Sequence, residues 1–370
     1  MKNRSHIPLA KPFLGKEEEE AVSTVVRSGW LVQGPKVKEL ERMLEDRFSA
    51  YAVAVNSCST ALLLVGEVAD LEALDVGVPS YTFVATVNAV LHSGARPVFM
   101  EIDESLNVDP NAPRPSLDTM IAVHQVGLPL DTRAFRSVGD TIIEDAACAF
   151  GAKLEGREIG FEGGITPHTL ATCFSFHASK SLVAGEGGLV VTRHKDFAER
   201  LRVLRDHGAS IPADERVKNG RYVEEEYVEC GYNGRMTDIT AAIAIEQIRK
   251  SSDILGRRRD LALRYSKHLN ERFRVPREPK GVVHAYQRYI ILAQDDSERD
   301  QLFEKLTSAS ISCRRGLQVC HKQPYMKDEL GEESAALPRT ETIAAKALQL
   351  PLFPSMTYEE KDRVIEALVA

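Results

Sequence analysis

A single lysine lies in a segment whose composition suits the chemistry of a reactive amine. Residues 171–181 (ATCFSFHASKS) run from an apolar strand into a small polar turn that holds Lys180, and residues 185–188 (GEGG) lead into the next strand. Lysine forms an imine with an aldehyde when a partly desolvated position lets its amine lose a proton. The glycines let the backbone pass close to a bound ring. A surface lysine in a flexible loop is the alternative, so the interpretation depends on partner residues.

A carboxylate stands at the end of a second buried strand. Asp145 closes the segment 141–145 (TIIED), and open α/β sheets bind their ligands at such strand ends. There the carboxylate could pair with the ring nitrogen of a pyridine cofactor and keep it protonated, so that the ring accepts electrons from a substrate carbanion. The competing interpretation is a helix N-cap, because residues 146–147 (AA) could begin a helix.

Small hydroxyl residues follow a third strand. Residues 56–60 (NSCST) lie between that strand and an apolar helix start, where free backbone N–H groups and the helix dipole attract an anion. An ordinary Ser/Thr N-cap is the alternative. If that anion is the phosphate group of the cofactor, Ser175 could donate its hydroxyl to it. Phe83 could lie flat on the cofactor ring. With Lys180 and Asp145, these residues supply each contact that pyridoxal 5′-phosphate (PLP) requires.

The elements that must position these residues alternate between strands and helices. Helical spacing of apolar residues predicts amphipathic helices at 17–27 and 37–48. Short apolar, β-branched segments bounded by turn formers predict strands at 52–55, 97–102, 121–124, 141–144, 172–176 and 189–192. Such alternation indicates an α/β fold with a mainly parallel sheet that is covered by helices.

The second part of the chain predicts a smaller α+β domain. Apolar residues keep helical spacing over residues 237–268, which predicts one long connecting helix. A strand at 289–293 and a closing amphipathic helix at 358–369 follow. We therefore predict a large domain over residues 1–245, including an N-terminal arm, and a small C-terminal domain over residues 246–370.

Composition and charge exclude several classes of protein. The 370 residues carry a net charge of −7 and offer no basic stripe for nucleic acid. No apolar run is long enough to span a bilayer, and the polar N-terminus lacks the apolar stretch of a signal peptide. Six cysteines without a disulfide-like framework fit a reducing compartment, so we expect a cytoplasmic protein. Cys313, Cys320 and His321 lack a fourth ligand at a standard spacing, so no metal site is predicted.

Five segments in a fixed order resemble one enzyme family. They are 79–86 (PSYTFVAT), 144–147 (EDAA), 174–180 (FSFHASK), 185–188 (GEGG) and 231–236 (GYNGRM). In these segments the chain resembles the DegT/DnrJ/EryC1/StrS aminotransferases, the sugar aminotransferase branch of the PLP enzymes of fold type I. The resemblance covers nearly the whole chain. It implies a large domain of the aspartate aminotransferase type with a mainly parallel sheet, followed by a smaller α+β domain.

The resemblance implies which residues hold the ring of PLP. Lys180 would form the Schiff base, Asp145 would bind the pyridine nitrogen and Phe83 would stack on the ring. Cys148 occupies a position beside the ring that glutamine or histidine often holds in the family. The contacts with the ring are therefore expected to differ in detail from the family pattern.

The resemblance also implies a phosphate site that two subunits share. Ser59, with its neighbour Cys58, and Ser175 would bind the phosphate, although Cys58 stands where glycine is usual and Ser59 where threonine is usual. Asn233 would reach the phosphate of the partner subunit's cofactor, and Arg235 would lie close to the same interface. A homodimer with shared active sites follows from these assignments.

Four residues are predicted to contact the substrate. His177 lies near Lys180 in the sequence, and a structural role at the strand end is its alternative. Arg235 is a candidate because a substrate that carries a nucleoside diphosphate would need cations in the pocket. His321 and Tyr325 fall where the family often lines its substrate pocket. Solvated surface positions are the alternative for these last three residues.

Transamination is the reaction that the resemblance implies. Glutamate or glutamine would load its amino group onto PLP, and a keto sugar linked to a nucleoside diphosphate would receive it, with Lys180 as the proton carrier. One alternative is an aminotransferase that acts on a free keto-cyclitol. A PLP-dependent sugar dehydratase and a non-catalytic sensor are two further alternatives. Family dehydratases replace the lysine with histidine, and a sensor would be expected to lose Lys180 or Asp145, so the presence of both residues argues against these two classes.

Overall fold

The computed structural model describes residues 5–135, 141–212, 215–218, 221–330 and 336–369. Its centre is a seven-stranded sheet with helices on both faces, and a smaller three-stranded sheet lies in the C-terminal part. This architecture confirms the predicted α/β class, with a large mainly parallel sheet and a second, smaller unit.

The central sheet contains the strands that carry the candidate site residues. Its strands are β1 (Tyr51–Val55), β2 (Asp75–Pro79), β3 (Arg96–Met100), β4 (Thr119–Val123), β5 (Thr141–Asp145), β6 (Thr169–Ser175) and β7 (Gly188–Thr192). Their spatial order is β1-β7-β6-β5-β4-β2-β3, and only β7 runs antiparallel to its neighbours. Because β4, β5 and β6 are parallel, their carboxyl ends meet at one edge of the sheet.

Eleven helices are present in the described part of the chain. They are α1 (Lys16–Ser28), α2 (Pro35–Phe48), α3 (Cys58–Val68), α4 (Val84–His92), α5 (Lys195–Leu204), α6 (Asp238–Arg249), α7 (Ser251–Leu269), α8 (Asp296–Ser308), α9 (Pro324–Leu330), α10 (Pro338–Lys346) and α11 (Tyr358–Val369). None of the helices within the described ranges combines the length and apolarity needed to cross a lipid bilayer.

The two faces of the central sheet have separate hydrophobic cores. Side chains alternate along a strand, so Ala52 and Ala54 of β1 face one core while Val53 and Val55 face the other. Helices α2 and α6 cover the first face, and α3, α4 and α5 cover the second. Both faces are buried, which explains why the strands read as continuous apolar runs rather than as alternating patterns.

The small sheet has its own core. It consists of β8 (Tyr289–Leu292), β9 (Arg314–Arg315) and β10 (Ala347–Leu350), in the order β8-β10-β9. Residues of α7, α8 and α11 pack on it, and the rings of Tyr265 and Tyr289 lie 5.0 Å apart at its centre. Five two-residue strands complete the fold: those at 153–154, 157–158 and 282–283 form a three-stranded sheet, and those at 217–218 and 221–222 form a two-stranded one.

The predicted single helix over residues 237–268 is wrong in one respect. The helix breaks at Lys250, between α6 and α7. Lys250 is both the C-cap of α6 and the N-cap of α7, with no side-chain capping bond, and Asp253 lies in the first turn of α7, where an acidic side chain suits the helix dipole. The domain boundary at 245/246, which stays a prediction, falls inside α6. The core of the central sheet still includes Ile254, and the core of the small sheet takes over at Leu261.

Candidate active site

Lys180 lies in a tight loop that joins the antiparallel strands β6 and β7. Its backbone N–H donates to the carbonyl of His177 over 2.9 Å, and the N–H of Ala178 donates to the carbonyl of Gly185 over 2.9 Å. Gly185 has a φ of +86°, which a residue without a Cβ adopts at little cost. The loop holds the Lys180 side chain half-buried, with Nζ 3.4 Å from Sγ of Cys148. The amine is therefore partly desolvated, as the sequence predicted.

Asp145 ends β5 as a buried carboxylate with two neutral donors. The hydroxyl of Thr86 donates to Oδ2 over 2.8 Å, and the N–H of Ala147 donates to Oδ1 over 3.0 Å. The Thr82 hydroxyl lies 3.0 Å from the Thr86 hydroxyl and extends this chain. Residues 146–151 form turns rather than a helix, so Asp145 is not a helix N-cap. These two hydrogen bonds fix the orientation of the carboxylate.

The hydroxyl residues after β1 form the N-terminus of α3. Ser57 is the N-cap, and its Oγ accepts a hydrogen bond from the N–H of Thr60 over 3.1 Å. Cys58 and Ser59 are the first two helical residues, whose N–H groups have no partner within the helix. Burial raises the pKa of the Cys58 thiol well above its ordinary value, and the nearby Asp145 carboxylate adds to this shift. The thiol therefore stays neutral at this anion-binding terminus.

A glycine of β7 allows the close approach of this helix start to the sheet. A Cβ at Gly188 would lie 2.4 Å from the carbonyl carbon of Ser57 and 2.6 Å from the N atom of Cys58. Only glycine therefore fits beneath the turn. Ser175, also buried, accepts a hydrogen bond from the N–H of His177 over 3.3 Å.

Four of the predicted cofactor-binding residues, Phe83, Asp145, Cys148 and Lys180, line one cleft at this edge of the sheet. Its lining includes Phe83, Asp145, Cys148, Lys180, Arg288 and Leu317, and this set defines the active-site cleft. Phe83 immediately precedes α4, and its ring is 60% exposed. An exposed ring above a cleft is available to stack on a planar ligand.

Several residues of the cleft were missed at the level of sequence. The ends of β4 and the following turn contribute His124, Gln125 and Val126, and the C-terminal part contributes Arg288 and Leu317. The apolar strand 121–124 could have indicated His124, because it ends beside Asp145 in a parallel sheet. Nothing local in the sequence marked Arg288.

A second buried carboxylate stands beside Asp145 on the opposite side of the strand. Nε2 of His124 lies 3.5 Å from Glu144, and both side chains are fully buried. Burial by itself would raise the pKa of Glu144, but the His124 ring at 3.5 Å and the hydrogen bonds from the Ile165 N–H and the Thr172 hydroxyl hold this pKa below its ordinary value. The N–H of Leu130 donates to Nδ1 of His124, so the proton of the ring sits on Nε2, facing Glu144.

The residues predicted to contact substrate lie in different places. His177 is exposed and bonds to Ser179 over 2.9 Å. His321 is buried, with Nδ1 2.6 Å from the Ser80 hydroxyl and Nε2 3.2 Å from Glu341. The structure therefore places His321 in a closed network beneath the surface rather than in the lining of the cleft.

Tyr325 and the dimer candidates lie at the surface or near it. The Tyr325 hydroxyl, which is half-buried, donates to Oδ1 of Asn88 over 2.8 Å. Asn233 is exposed, and its carbonyl accepts a hydrogen bond from the Asn56 side chain over 3.1 Å, beside the start of α3. Arg235 forms an ion pair with Asp206.

The donor set fits PLP. The half-buried amine of Lys180 suits an aldehyde, the Asp145 carboxylate suits a pyridinium nitrogen, and the N-terminus of α3 suits a phosphate. The sequence model of the DegT/DnrJ/EryC1/StrS aminotransferase family matches residues 12–369. The chain belongs to this family. It is a PLP-dependent aminotransferase, as the resemblance of its motifs implied.

Solved structures of family enzymes superpose on nearly the whole chain. DesV from S. venezuelae, solved in complex with a ketimine intermediate, is 29% identical, with a TM-score of 0.87 over 98% of this chain and 97% of DesV. The aminotransferase TlmJ from Streptoalloteichus hindustanus is 28% identical, with a TM-score of 0.87 over 98% of each chain. PseC from Helicobacter pylori, an aminotransferase involved in the biosynthesis of pseudoaminic acid, is 21% identical, with a TM-score of 0.89 over 99% of this chain and 98% of PseC. At that identity the likeness to PseC concerns the fold alone.

Proposed function

We propose that this aminotransferase moves the amino group of glutamate or glutamine to a keto sugar that is linked to a nucleoside diphosphate. The observation that carries the proposal is the convergence of Lys180, Asp145 and the N-terminus of α3 at one edge of the central sheet. We also propose that the enzyme is a homodimer and that it is cytoplasmic; its six free cysteines agree with a reducing compartment.

The chain's own residues divide the work of transamination. PLP, when bound, supplies an aldehyde and an electron-accepting ring. Lys180 would bind the aldehyde through Nζ and would carry a proton at the same atom. Asp145 would hold a proton at the pyridine nitrogen, since its carboxylate is fixed by Thr86 and by the N–H of Ala147. Cys148 contacts Nζ and limits the positions that the amine can take.

Other residues are proposed to contact the phosphate and the faces of the cofactor ring. Cys58 and Ser59 offer backbone N–H groups at the start of α3, and Ser175 offers a hydroxyl. Phe83, which is exposed beside the cleft, would cover one face of the ring. His177, three residues before Lys180 in the same loop, is proposed to line the entrance on the substrate side.

A second cleft supports the choice of a nucleotide-linked acceptor. It is lined by Val32 and Gln33, by Arg235 of the family segment 231–236, and by His207 and Arg216. Arg216 and Arg235 pair with Glu225 and Asp206, but each guanidinium carries five N–H donors, so donors remain for a diphosphate. Tyr325, a half-buried hydroxyl, remains a candidate for a sugar contact.

Exposed apolar side chains support the dimer. Trp30, Leu31 and Val32 are each at least 40% exposed, as are Tyr227 and Val228, which precede the segment that carries Asn233. Exposed apolar surface of this extent is typical of an interface between subunits. In the proposed dimer, Asn233 of each subunit completes the phosphate site of its partner.

A spectroscopic titration tests the reaction and the acceptor together. We expect glutamate or glutamine to abolish the visible absorption band of the bound cofactor, and a nucleotide-linked keto sugar to restore it. UDP, dTDP or GDP should compete with that acceptor in a saturable manner. If no nucleotide competes and a free keto-cyclitol restores the band, the enzyme acts on the cyclitol instead. A band that no amino acid affects would favour a dehydratase or a sensor.

A further inference from the structure

One cation in the active-site cleft has no role in the proposed transamination. Arg288 lies half-buried just before β8 and lines the cleft together with Lys180, Asp145 and Cys148. It is contributed by the C-terminal part of the chain, whereas the other three come from the central sheet. A guanidinium in such a position is suited to bind an anion that enters the cleft.

The position of Arg288 is fixed by its neighbour Gln287. The Arg288 Nε donates to Oε1 of Gln287 over 3.3 Å, and Nε2 of Gln287 donates to the carbonyl of Ser179 over 2.7 Å. Gln287 is buried, and the backbone N–H groups of Gln287 and Arg288 both donate to the carbonyl of Val126. The guanidinium is thus tied to the residue immediately before Lys180.

The charge of Arg288 is not neutralised by the protein. Nearby arginines already have partners within the protein. Arg274 pairs with Glu104, and Arg259 pairs with Glu278. Arg258 donates to the carbonyls of Tyr286 and Gln287. For Arg288, no carboxylate within the described ranges lies at ion-pair distance. Because Nε already bonds to Gln287, the two terminal nitrogens form a fork that can bind a planar anion with two parallel hydrogen bonds.

We propose that Arg288 binds the α-carboxylate of the amino donor. The inference rests on the proposed function, because it assumes an amino acid as donor. An α-carboxylate sits one bond from the carbon that carries the reacting amine, so its receptor must lie in the same cleft as Nζ of Lys180. The diphosphate of a sugar nucleotide is separated from the reacting carbon by the sugar ring, and it therefore needs a receptor farther out.

The test compares glutamate with 4-aminobutyrate, which is glutamate without its α-carboxylate. Single-turnover loss of the cofactor band is measured for the wild-type enzyme, Arg288→Met, Arg288→Lys and the control Arg277→Met. Arg277 is exposed and lines a separate cavity behind Val126. We expect Arg288→Met to lower the second-order rate constant for glutamate about 100-fold, the loss of a charge-assisted bidentate contact, and to leave that for 4-aminobutyrate within about twofold.

A binding measurement accompanies the kinetics. Calorimetry with 2-oxoglutarate on the enzyme that holds PLP reports carboxylate binding where no amino group can be transferred. We expect the dissociation constant to rise about 30-fold or more in Arg288→Met, with partial recovery in Arg288→Lys, and to stay unchanged in Arg277→Met.

Three outcomes would overturn the inference. The first is an unchanged glutamate reaction and an unchanged affinity for 2-oxoglutarate in Arg288→Met. The second is a loss confined to the half-reaction with the acceptor, which would assign Arg288 to a phosphate. The third is an equal loss for glutamate and 4-aminobutyrate, which would mean that Arg288 acts through Lys180. If the wild-type enzyme ignores both glutamate and glutamine, the proposed donor is wrong, and the same comparison is made with the amino acid that serves and its decarboxylated amine.

Discussion

One wall of the active-site cleft is built from strand ends of the central sheet, whereas the opposite wall comes from the C-terminal part of the chain. The first wall carries Asp145 at the end of β5 and Lys180 after β6. The second wall carries Arg288 before β8 and Leu317 after β9. Backbone hydrogen bonds join the two, because Arg288 donates to Val126 and Leu317 donates to the Tyr81 hydroxyl.

The walls differ in how their chemistry is stabilised. Polar groups of the first wall are satisfied by adjacent elements, as Asp145 is by Thr86 of α4 and by the N–H of Ala147 in the turn after β5. The second wall presents a cation whose charge the described protein does not balance. This difference indicates that the first wall is organised for a resident cofactor and the second for a ligand that comes and goes.

The largest expected effect is on the first wall, at Lys180. We expect Lys180→Ala to lower turnover by about 10⁴-fold or more, because the variant loses both the bond to the cofactor and the proton carrier. Circular dichroism should show an unchanged fold, since the side chain is only half-buried. A Lys180→Ala protein that cycles at the wild-type rate would refute the assignment.

The second largest effect is expected at Asp145, and its neighbour on β5, Glu144, provides the comparison. We expect Asp145→Asn to retain some PLP but to lose about 10²–10³-fold in turnover, because an amide does not hold a pyridinium proton as a carboxylate does. Glu144→Gln serves as the matched control, since Glu144 is buried beside His124 and does not line the cleft. Steady-state turnover, divided by the amount of bound cofactor, is measured for both variants and should fall only in Asp145→Asn. Normal transamination by Asp145→Asn would reduce Asp145 to a structural anchor.

The proposal that two subunits share a phosphate site predicts complementation between inactive variants. If Asn233 completes the partner's site, mixing inactive Lys180→Ala with an inactive Asn233→Ala variant creates hybrid dimers with one intact site. Random exchange should then recover about a quarter of the wild-type activity. Mass spectrometry must first verify subunit exchange. No recovery after verified exchange would place Asn233 in the site of its own subunit.

Thr86 provides a smaller test of how the first wall holds its carboxylate. We expect Thr86→Val to weaken cofactor binding and to lower turnover about 10-fold, because the buried Asp145 loses its hydroxyl donor. The pH at which the cofactor band titrates should shift as well. Thr86→Ser should restore both values, which a purely structural role of the methyl group does not predict. An unchanged titration in Thr86→Val would exclude a positioning role.

The smallest effect concerns stability rather than turnover. The folded-state pKa of Glu144 lies below its ordinary value of 4.5, so its contribution to stability is present above that pH and is lost as the pH falls through the folded-state pKa. We expect Glu144→Gln to lower the free energy of unfolding at neutral pH by about 1–3 kcal/mol and to flatten its decline below pH 4.5. Urea unfolding across this pH range measures both. Parallel pH curves for the two proteins would contradict the assignment.

The sequence by itself determined the residues of the first wall that carry its proposed chemistry, although His124, Gln125 and Val126 were missed. Apolar strands, the glycine-rich turn and the hydroxyl residues 56–60 are local signals, because strand burial, turn geometry and helix capping each depend on a few neighbouring residues. Lys180 and Asp145 could therefore be singled out before their distance in space was known. The type of fold followed from the same alternation of strands and helices.

Only the tertiary structure decided the second wall and the surroundings of His321. Arg288 comes to Lys180 through a contact between residues 287 and 179, and His321 is buried against Ser80, 241 positions away in the chain. Such contacts arise when the small sheet packs against the central one, and no local pattern encodes that packing. The break between α6 and α7 was only partly encoded in local sequence. Residues 251–253 are typical of a helix start, but the apolar spacing continues through them and predicted a single helix.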